Sequence, residues 1–405
     1  MADNWYSLID FNKVQIHLNP SLPLSLRENL KSISMSHEVT YNKPRVWILS
    51  SGTSSVNQNS YKLIGLTSDA FFASALAVNN HLLVSNSDSW LNVLPLFHVG
   101  GLSILYRSYK ANIPCHNLWN NEYKWNPLNY VDSLKNTEAT LTSLVPTQVY
   151  DLIAANIRAP SKLRAVIVGG ASLSHVLYSN ARKLGWPLLP SFGMTEAASQ
   201  IATASIQSLE SNATFLSTPS NQSTIFNYPK LRILDHISAE VDINHILSIK
   251  GSCLFEGYYP IIEDKSLPWV SPIDSNGWFK TQDCANIDGQ NIFILSRTDD
   301  VIKINGEMVN LAQLRNKLEG LCSTHLIQYE CTICAIPDTR NGFQLILVGN
   351  TNSENLQQLF TLFNSSMLPY EKITNCYGPI AIPKNPLGKI LHNHLSRTVF
   401  SKLND

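Results

Sequence analysis

Short runs of apolar residues alternate with stretches of helical length in the first half of the chain. The apolar runs lie at residues 46–49, 91–97, 139–145, 163–170 and 186–193. Stretches long enough for helices follow two of them, at residues 67–80 and 172–184. Because strands that alternate with helices are typical of a mostly parallel sheet, we predict an α/β fold here. In such folds the ligand binds beyond the carboxyl ends of the strands, where loops lead into helices.

The pattern changes near residue 227 to short strands separated by turn residues, which predicts a small antiparallel sheet or barrel. After residue 300 we predict a strand, a tight turn at Asn305 and Gly306, helices at 311–321 and 354–364, and strands at 331–336 and 344–348. The whole pattern predicts a large N-terminal domain, residues 1–297, of mostly parallel sheets with a small antiparallel subdomain. A small, mobile α+β C-terminal domain, residues 298–405, is predicted to follow it.

The length and charge of the chain narrow the range of functions. A chain of 405 residues with 44% apolar residues is long enough for at least two cores. Its 30 basic and 30 acidic residues cancel, and no basic run offers a surface for nucleic acid. The first ten residues lack the features of a secretory signal, and no apolar stretch reaches membrane-spanning length. We therefore predict a soluble cytoplasmic protein, monomeric or homo-oligomeric, with no nucleic-acid partner and no membrane span.

The seven cysteines follow no spacing typical of a disulfide framework, which favours a reducing compartment. Cys331 and Cys334 form the one close pair, within the predicted strand CTICAI. Residues three apart on a strand face opposite sides of a sheet. We therefore expect neither a shared metal ion nor a disulfide between these two cysteines.

A hydroxyl-rich loop, SSGTSS at residues 50–55, follows the first apolar run and precedes Lys62. Its backbone N–H groups and hydroxyls, together with the ammonium of Lys62, are suited to binding polyphosphate oxygens. It is not a P-loop, because there the lysine directly precedes a serine or threonine. A serine-rich surface turn is an equally good interpretation of this segment alone.

His98 ends the apolar run LPLF and is followed by Val99, Gly100 and Gly101. Glycines let a ligand approach the backbone closely, so this segment is a candidate pocket wall. Taken alone, however, it fits better with the start of a helix and a hydrogen-bonded histidine.

The segment SFGMTE at residues 191–196 predicts a strand that turns into a helix at Thr195 and Glu196. Glu196 is suited to Mg²⁺, a hard cation that takes one or two carboxylates together with phosphate oxygens, and Thr195 can donate to a phosphate. Alternatively, Thr195 caps the helix and Glu196 complements its dipole.

Three further polar residues occur in the second half of the chain. Asp283, in GWFKTQD, can accept hydrogen bonds from both ribose hydroxyls of a nucleotide, and Arg297 can donate to the same sugar or to a phosphate. Ordinary surface ion pairing is the alternative for both. Lys389 lies on a glycine-containing turn, PLGK, which in isolation reads as a solvated tail.

Taken in order, these segments resemble the adenylate-forming superfamily of acyl-CoA synthetases, peptide-synthetase adenylation domains and beetle luciferases. SSGTSS with Lys62 is similar to the superfamily's phosphate loop, LPLFHVGG to its acyl-pocket segment and AVIVGGASLS to its adenine-side segment. SFGMTE, GWFKTQD, SRTDDVIKINGE and PKNPLGKI resemble its signature, its Thr-Gly-Asp motif, its hinge and its C-terminal lysine motif. The resemblance runs from residue 46 to residue 391. The run MTEAASQIAT, the His98 segment and the short chain look most like the ligases that act on 2-succinylbenzoate in menaquinone and phylloquinone synthesis.

The resemblance implies an enzyme that activates a carboxylic acid with ATP as an acyl-adenylate and then passes the acyl group to coenzyme A. ATP, Mg²⁺ and coenzyme A are the implied cofactors and co-substrates, and 2-succinylbenzoate is the implied small-molecule acid. A cytoplasmic location is expected, and the plastid stroma is compatible with the resemblance.

The resemblance also implies roles for individual residues. The expected catalytic residues are Lys389, Thr195, Glu196 and His98, with Mg²⁺ at Glu196. ATP and AMP are expected to contact Ser51, Gly52, Thr53, Ser54, Lys62, Gly169, Gly170, Ala171, Phe192, Gly193, Met194, Thr195, Asp283 and Arg297. The acid pocket is expected to include His98, Gly101, Ser199 and Gln200, the hinge Asp299 or Asp300, and the coenzyme A site Lys303 and Gly306.

Some positions depart from the superfamily's pattern. Ser55 and Gln282 stand where glycines are expected, Phe192 replaces a tyrosine, and the stretch before Lys62 is several residues longer. The chain has only 18 glycines, so a general drift in composition accounts for these changes more simply than lost function. Two alternatives stay open: another aryl- or acyl-CoA ligase or a stand-alone adenylation enzyme that loads a carrier protein, and a nucleotide-binding relative that has lost catalysis.

Overall fold

The computed structural model describes residues 13–41, 45–51, 60–120, 122–211, 213–218, 221–262, 265–325, 327, 329–385 and 388–404. The chain divides into two compact units. The first comprises Met1–Asp242, Leu247–Thr281 and Ile287–Phe293, and the second comprises Ile243–Ile246, Gln282–Asn286 and Ile294–Asp405. Within the described ranges, no helix is both long enough and apolar enough to span a bilayer.

Strands and helices alternate through the first part of the chain. They are β1 (Gln15–His17), α1 (Leu24–Tyr41), β2 (Val46–Ser51), β3 (Ser60–Leu66), α2 (Ser68–His81), β4 (Trp90–Asn92), α3 (Val99–Ala111), β5 (Cys115–Asn117), α4 (Pro127–Thr137), β6 (Leu141–Leu144), α5 (Pro146–Ala154), β7 (Ala165–Val168), α6 (His175–Lys183) and β8 (Leu188–Met194). Shorter elements follow, namely β9 (Ser199–Ala204), α7 (Ser208–Ser211), β10 (Ala213–Thr218), β11 (Asn221–Phe226), β12 (Leu231–Ile233), β13 (Ile237–Val241), β14 (Ile246–Gly251), β15 (Gly257–Ile262), β16 (Lys265–Ser266), β17 (Phe279–Asp288) and β18 (Asn291–Arg297).

A parallel sheet with the strand order β5, β4, β6, β7, β8 forms the centre of the first unit. Beyond β8 the same sheet continues with β9, β12, β18, β17, β14 and β13, and the β8–β9 and β9–β12 pairs are antiparallel. Its parallel part packs against α4, α5 and α6 through buried side chains such as Val166, Tyr130 and Leu152. The predicted α/β fold with an antiparallel extension is therefore confirmed, and it brings the loops after β4, β7 and β8 to one edge of the sheet.

A second sheet has the strand order β1, β2, β3, β15, β16. Its core joins Trp47 and Leu63 of the central strands to Leu26 and Leu30 of α1. Antiparallel pairing of β3 with β2 on one side and with β15 on the other fixes the position of Lys62, opposite Ser50 and Pro260.

The second unit is a compact α+β structure, as predicted. Its elements are β19 (Val301–Ile304), β20 (Glu307–Asn310), α8 (Leu311–Thr324), β21 (Cys331–Asp338), β22 (Gly342–Gly349), α9 (Ser353–Asn364), β23 (Ile373–Tyr377) and α10 (His392–Asn404). The sheet of β21, β22 and β23 packs against α8 and α9 on one face and against α10 on the other, because its apolar side chains alternate between the two faces. The predicted boundary after residue 297 stays a prediction, because the contacts divide the chain within β17 and β18.

Two local predictions were wrong. The run at residues 91–97 is a strand only as far as Asn92, because the Asn92 side chain both accepts from the Leu94 N–H at 3.0 Å and donates to the Leu94 carbonyl at 3.2 Å. Thr195 and Glu196 do not begin a long helix, since Thr195–Ala197 is a single 3₁₀ turn. Ala198 and Ser199 then take positive φ angles of 48° and 115°, which reverses the chain into β9, antiparallel to β8.

Candidate active site

The short turn that carries Glu196 lies against the second sheet. The Phe255 N–H donates to the Glu196 carbonyl at 2.9 Å, and the Glu256 N–H donates to the Gly65 carbonyl of β3 at 3.0 Å. The pKa of Tyr258 is raised, first by burial and then by the negative charge of Glu196. The ammonium of Lys62 lies 4.8 Å from the centre of the same Tyr258 ring. Tyr258 therefore interacts with both the Lys62 cation and the Glu196 carboxylate.

The predicted phosphate loop is only partly described. Gly52, Thr53 and Ser54 lie outside the described residues, so their roles stay predictions. Ser51 is the last residue of β2, opposite Tyr61. Lys62 lies over the Tyr258 ring, and the charge of Glu196 acts on the same tyrosine. The role of Lys62 in phosphate binding stays a prediction.

The predicted adenine-side segments meet at the carboxyl ends of β7 and β8. Val168 is paired with Pro190 in the parallel ladder, and the Ser191 hydroxyl donates to the Val168 carbonyl at 3.1 Å. A Cβ atom at Gly169 would lie 2.8 Å from that hydroxyl, so a larger residue would force the Ser191 side chain to shift. Residues 169–171 and 192–194, which were predicted from sequence to bind the nucleotide, are therefore neighbours.

His98 is the residue before α3 and makes no side-chain hydrogen bond to the helix. Its Nε2 atom is buried with no hydrogen-bond partner among the described residues. Burial lowers the pKa of His98 to about 4, so the imidazole is neutral at physiological pH. The alternative interpretation, in which the His98 side chain caps the helix through a hydrogen bond, is therefore not supported.

Gly101 has a packing role. A Cβ atom at this position would overlap the carbonyl oxygens of Leu94 and Pro95, because α3 begins directly against the loop after β4. The close approach that requires glycine is thus an approach of backbone to backbone. The expected place of Gly101 in an acid pocket stays a prediction.

Arg107, on α3, is a residue that the sequence interpretation missed. Its side chain is 1% exposed, its Nη2 donates to the Ser199 hydroxyl at 3.2 Å, and its guanidinium lies 5.7 Å from the centre of the Trp90 ring. Burial lowers its pKa to about 9, so it remains charged at pH 7. Within the described part of the chain it has no carboxylate partner, and its Nε has no hydrogen bond. An arginine directly after the largely apolar run GLSILY in α3 was the available signal.

Gln200, the neighbour of Ser199, and His236, whose pKa responds to the Arg107 charge, are two further polar groups of this region. Gln200 accepts from the Thr203 hydroxyl at 3.0 Å and is buried beside Ser199. His236 lies two residues after Leu234, and the Leu234 N–H donates to the Ile201 carbonyl at 2.9 Å, next to Gln200. The pKa of His236 is lowered to about 4, mainly by burial, with Asp235 raising it and the Arg107 charge lowering it. Burial of a guanidinium without a carboxylate partner costs free energy, on the order of several kcal/mol.

In the second unit, Asp283 and Arg297 lie side by side. Their Oδ1 and Nη1 atoms are 4.0 Å apart, and Arg297 Nη2 donates to the Gln282 side-chain oxygen at 2.9 Å. Gln282, which replaces the superfamily's glycine, thus holds the guanidinium beside Asp283. Asp283 and Arg297, the predicted nucleotide-binding pair, are thus brought together. The glutamine at position 282 has a structural role through its hydrogen bond to Arg297.

Lys389 is held on a tight hairpin. The Lys389 N–H donates to the Asn385 side chain at 2.9 Å, and the Asn385 N–H donates to the Lys389 carbonyl at 2.9 Å. Lys384 and Ile390 form an isolated antiparallel β-bridge. Gly388 has a φ of 77°, a left-handed conformation that glycine adopts without strain. Burial lowers the pKa of Lys389, the charge of Arg297 lowers it further, and the charges of Asp300 and Asp283 raise it. Four of the predicted residues therefore interact electrostatically within this unit.

The residues assigned to the hinge and to coenzyme A lie in a 3₁₀ turn, on β19 and in the turn after it. Asp300 ends a 3₁₀ turn, Thr298–Asp300, and accepts a hydrogen bond from Arg315 of α8 at 2.6 Å. Lys303 is exposed on β19, and Asn305 and Gly306 form the predicted turn with φ angles of 53° and 85°. Because Asp300 is tied to α8, Asp299 is the residue of this pair that is freer to change its backbone angles.

The metal expectation rests on Glu196 alone. Within the described ranges, no three histidine, cysteine, aspartate or glutamate side chains gather as metal ligands. A single carboxylate suits Mg²⁺ that is otherwise bound by phosphate oxygens and water, so Glu196 beside Lys62 fits a metal that arrives with a nucleotide.

Comparisons with known proteins agree with this architecture. A family model described as AMP-binding enzyme matches residues 16–259. The 2-succinylbenzoate–CoA ligase of Bacillus velezensis is 26% identical over 340 residues, which cover 80% of this chain and 63% of that protein. The ligase of the same name from Bacillus pumilus is 25% identical over 399 residues, 96% of this chain and 75% of that protein. The chain thus spans about two thirds to three quarters of the length of these relatives.

Solved structures show the same fold. The o-succinylbenzoate CoA synthetase of Bacillus subtilis, in complex with its acyl-adenylate intermediate, has a TM-score of 0.67 at 22% identity, over 86% of this chain and 68% of that one. ATP-bound MatB from Rhodopseudomonas palustris has a TM-score of 0.66 at 18% identity, over 87% of this chain and 67% of that one.

Proposed function

The chain belongs to the AMP-binding enzyme family, and from this premise we propose that it is an ATP-dependent, AMP-forming ligase that joins 2-succinylbenzoate to coenzyme A. The observation that carries the proposed substrate is the buried charge of Arg107 beside Ser199. The acid has two carboxylates, of which one is activated and the other needs a cation in the pocket. The names of the similar ligases support the same substrate.

The first half-reaction joins two anions. A carboxylate oxygen attacks the α-phosphorus of ATP, and pyrophosphate leaves with the electron pair of the broken P–O bond. Negative charge accumulates as the bond forms, so the site must supply positive charge. Lys389 is the group we propose for this role, with Lys62 at the leaving phosphates and Mg²⁺, when bound at Glu196, neutralising phosphate charge. Asp283 accepts from the ribose hydroxyls, and Arg297 donates to the nucleotide.

The second half-reaction transfers the acyl group from AMP to the thiol of coenzyme A. The sulfur attacks the acyl carbon, the C–O bond to AMP breaks, and a thioester and AMP are released. We propose that the residues after Arg297 form the domain that moves between the two steps, with Asp299 as its pivot. Lys303, on β19, and Gly306, on the exposed turn that follows it, are then the proposed contacts of coenzyme A, and His98 lines the acid pocket. Because the similar ligases come from bacteria, we propose the cytoplasm as the location.

The test is ATP–pyrophosphate exchange with 2-succinylbenzoate, benzoate, salicylate and octanoate, each with and without coenzyme A. We expect exchange with 2-succinylbenzoate, and AMP release that depends on free coenzyme A. In Lys389→Ala, exchange should fall about a thousandfold, because a charge pair at about 4 Å is worth roughly 4 kcal/mol at an effective dielectric near 20. Thioester formation from synthetic acyl-adenylate should fall much less.

Each of the other outcomes would indicate a different function. Exchange with another acid alone would keep the ligase and reject its proposed substrate. AMP release independent of coenzyme A would favour loading of a carrier protein. ATP binding without exchange for any acid would favour an inactive relative.

A further inference from the structure

Two cysteines of the second unit lie in direct contact. The Sγ atoms of Cys322, near the end of α8, and Cys331, at the start of β21, are 3.5 Å apart. Both side chains are partly buried, and both pack at the edge of the apolar core between the sheet and α8. Cys334, three residues on, is buried in the separate core under α10. Because side chains alternate along β21, Cys331 and Cys334 lie on opposite faces of the sheet and do not form a pair, as expected. Cys331 instead contacts Cys322 of α8.

We propose that Cys322 and Cys331 form a thiol–disulfide site that peroxides oxidise and thiols reduce. The contact distance leaves the sulfurs needing only a small approach to reach the bonded length of about 2.05 Å. The two residues are nine positions apart, so the disulfide closes a short loop between α8 and β21.

The chemistry is a two-electron oxidation. The Cys322 thiolate attacks one oxygen of hydrogen peroxide, the O–O bond breaks, and a sulfenic acid forms while hydroxide leaves and takes up a proton as water. The Cys331 sulfur then attacks the Cys322 sulfur, the S–O bond breaks, and the second hydroxide takes the Cys331 proton as another water. Two thiols are oxidised, and one peroxide is reduced to two waters.

The environment of the pair assigns these two roles. The hydrogen bond from the Cys331 thiol lowers the pKa of Cys322, which makes Cys322 the attacking thiolate. The pKa of Cys331 is raised, mainly by the same hydrogen bond and then by burial. Because conversion of Cys322 to a sulfenic acid removes the neighbouring thiolate, Cys331 becomes easier to deprotonate at the moment when it must attack.

The site lies next to a contact with the Lys389 hairpin. Glu330, adjacent to Cys331, forms an ion pair with Lys384, and Lys384 bridges Ile390 at the base of that hairpin. The Glu330 N–H donates to the Asn350 side chain at 3.0 Å, so this segment is also tied to the end of β22. A disulfide at Cys331 therefore restrains the residue that holds Lys384.

The test is disulfide mapping of the whole chain before and after treatment with hydrogen peroxide, with free thiols alkylated before digestion. Cleavage after glutamate separates residues 320–330, which contain Cys322, from residues 331–354, which contain Cys331 and Cys334. We expect a peptide pair joined by a disulfide in the oxidised protein, lost on treatment with dithiothreitol. Cys322→Ser and Cys331→Ser should each abolish it. Cys376→Ser, which changes another partly buried cysteine of the same unit, should keep it.

Three results would overturn the site. They are separate peptides after peroxide treatment, a crosslink that persists in Cys331→Ser, and oxidation of Cys322 to sulfinic acid without a crosslink. In addition, amide hydrogen exchange in residues 383–391 should slow several-fold in the oxidised wild type but not in oxidised Cys322→Ser. Equal exchange in both would overturn the link to the Lys389 hairpin. Neither measurement uses ATP or an acid, so failure here is distinguishable from failure of the proposed ligase activity.

Discussion

Arg107 carries the proposed acid specificity at the scale of a single side chain. Its guanidinium is 1% exposed and has no carboxylate partner in the described part of the chain, so the Ser199 hydroxyl and the Trp90 ring replace only part of its lost hydration. Ser199 offers one acceptor at 3.2 Å, and the remaining donors of Arg107 are suited to a carboxylate.

At the residue scale we predict the behaviour of Arg107→Gln. The KM for 2-succinylbenzoate should rise about 10- to 100-fold, because a hydrogen bond to a charged group contributes about 1.5–3 kcal/mol. The kinetic constants for ATP should change little, and Arg107→Lys should recover part of the loss. Arg158→Gln, at an exposed position, is the control. Unchanged kinetics for 2-succinylbenzoate in Arg107→Gln would refute the assignment.

At the scale of elements, the contact between α3 and the loop after β4 determines where several site residues lie. Gly101 lies directly against the Leu94 and Pro95 carbonyls, so a side chain at this position would push the first turn of α3 away from the loop that carries His98. The same helix then carries Arg107 to Ser199 on β9. A substitution at the beginning of α3 should therefore shift both His98 and Arg107.

Gly101→Ala and Gly100→Ala form a matched pair for this contact. A Cβ at Gly101 overlaps backbone oxygens, so we expect a loss of about 1–3 kcal/mol in the free energy of unfolding. A Cβ at Gly100 meets only Leu94 Cδ1 at 3.7 Å, so that variant should be neutral or up to about 1 kcal/mol more stable. Urea unfolding measures both. Equal stabilities would show that the backbone yields freely here.

At the scale of the whole molecule, buried neutral histidines make stability depend on pH. Burial lowers the pKa of His98 to about 4, compared with 6.5 for the ordinary value. As pH falls through this window the unfolded chain takes up a proton that the folded chain does not, so stability decreases. This contribution is fully present above pH 6.5 and is lost progressively towards pH 4.

We predict that His98→Asn makes the free energy of unfolding less sensitive to acid. Between pH 7 and pH 5 the wild type should lose about 2 kcal/mol more than this variant, as follows from the two pKa values. His245→Asn, at an exposed position, should keep the wild-type dependence. Denaturant titrations at both pH values give the comparison, and parallel losses in wild type and His98→Asn would contradict the prediction.

The sequence by itself determined the alternation of strands and helices, the α+β character after residue 300 and the Asn305–Gly306 turn. Each of these depends on residues close together in the chain: apolar periodicity, turn residues and the conformational freedom of glycine. The order of the motifs was also sufficient to indicate the family. The early end of β4 and the 3₁₀ turn at Thr195 were wrong at this level, because one side-chain hydrogen bond and one chain reversal decided them.

Only the tertiary structure placed Arg107 against Ser199, Lys62 near Glu196, Gln282 against Arg297 and Cys322 against Cys331. The hydrogen-bonded partners lie nine residues apart for Cys322 and Cys331, 15 for Gln282 and Arg297, and 92 for Arg107 and Ser199. Such contacts depend on strand register and helix packing, which no local pattern encodes. Burial follows from the same packing, and burial lowers the pKa values of both Arg107 and His98.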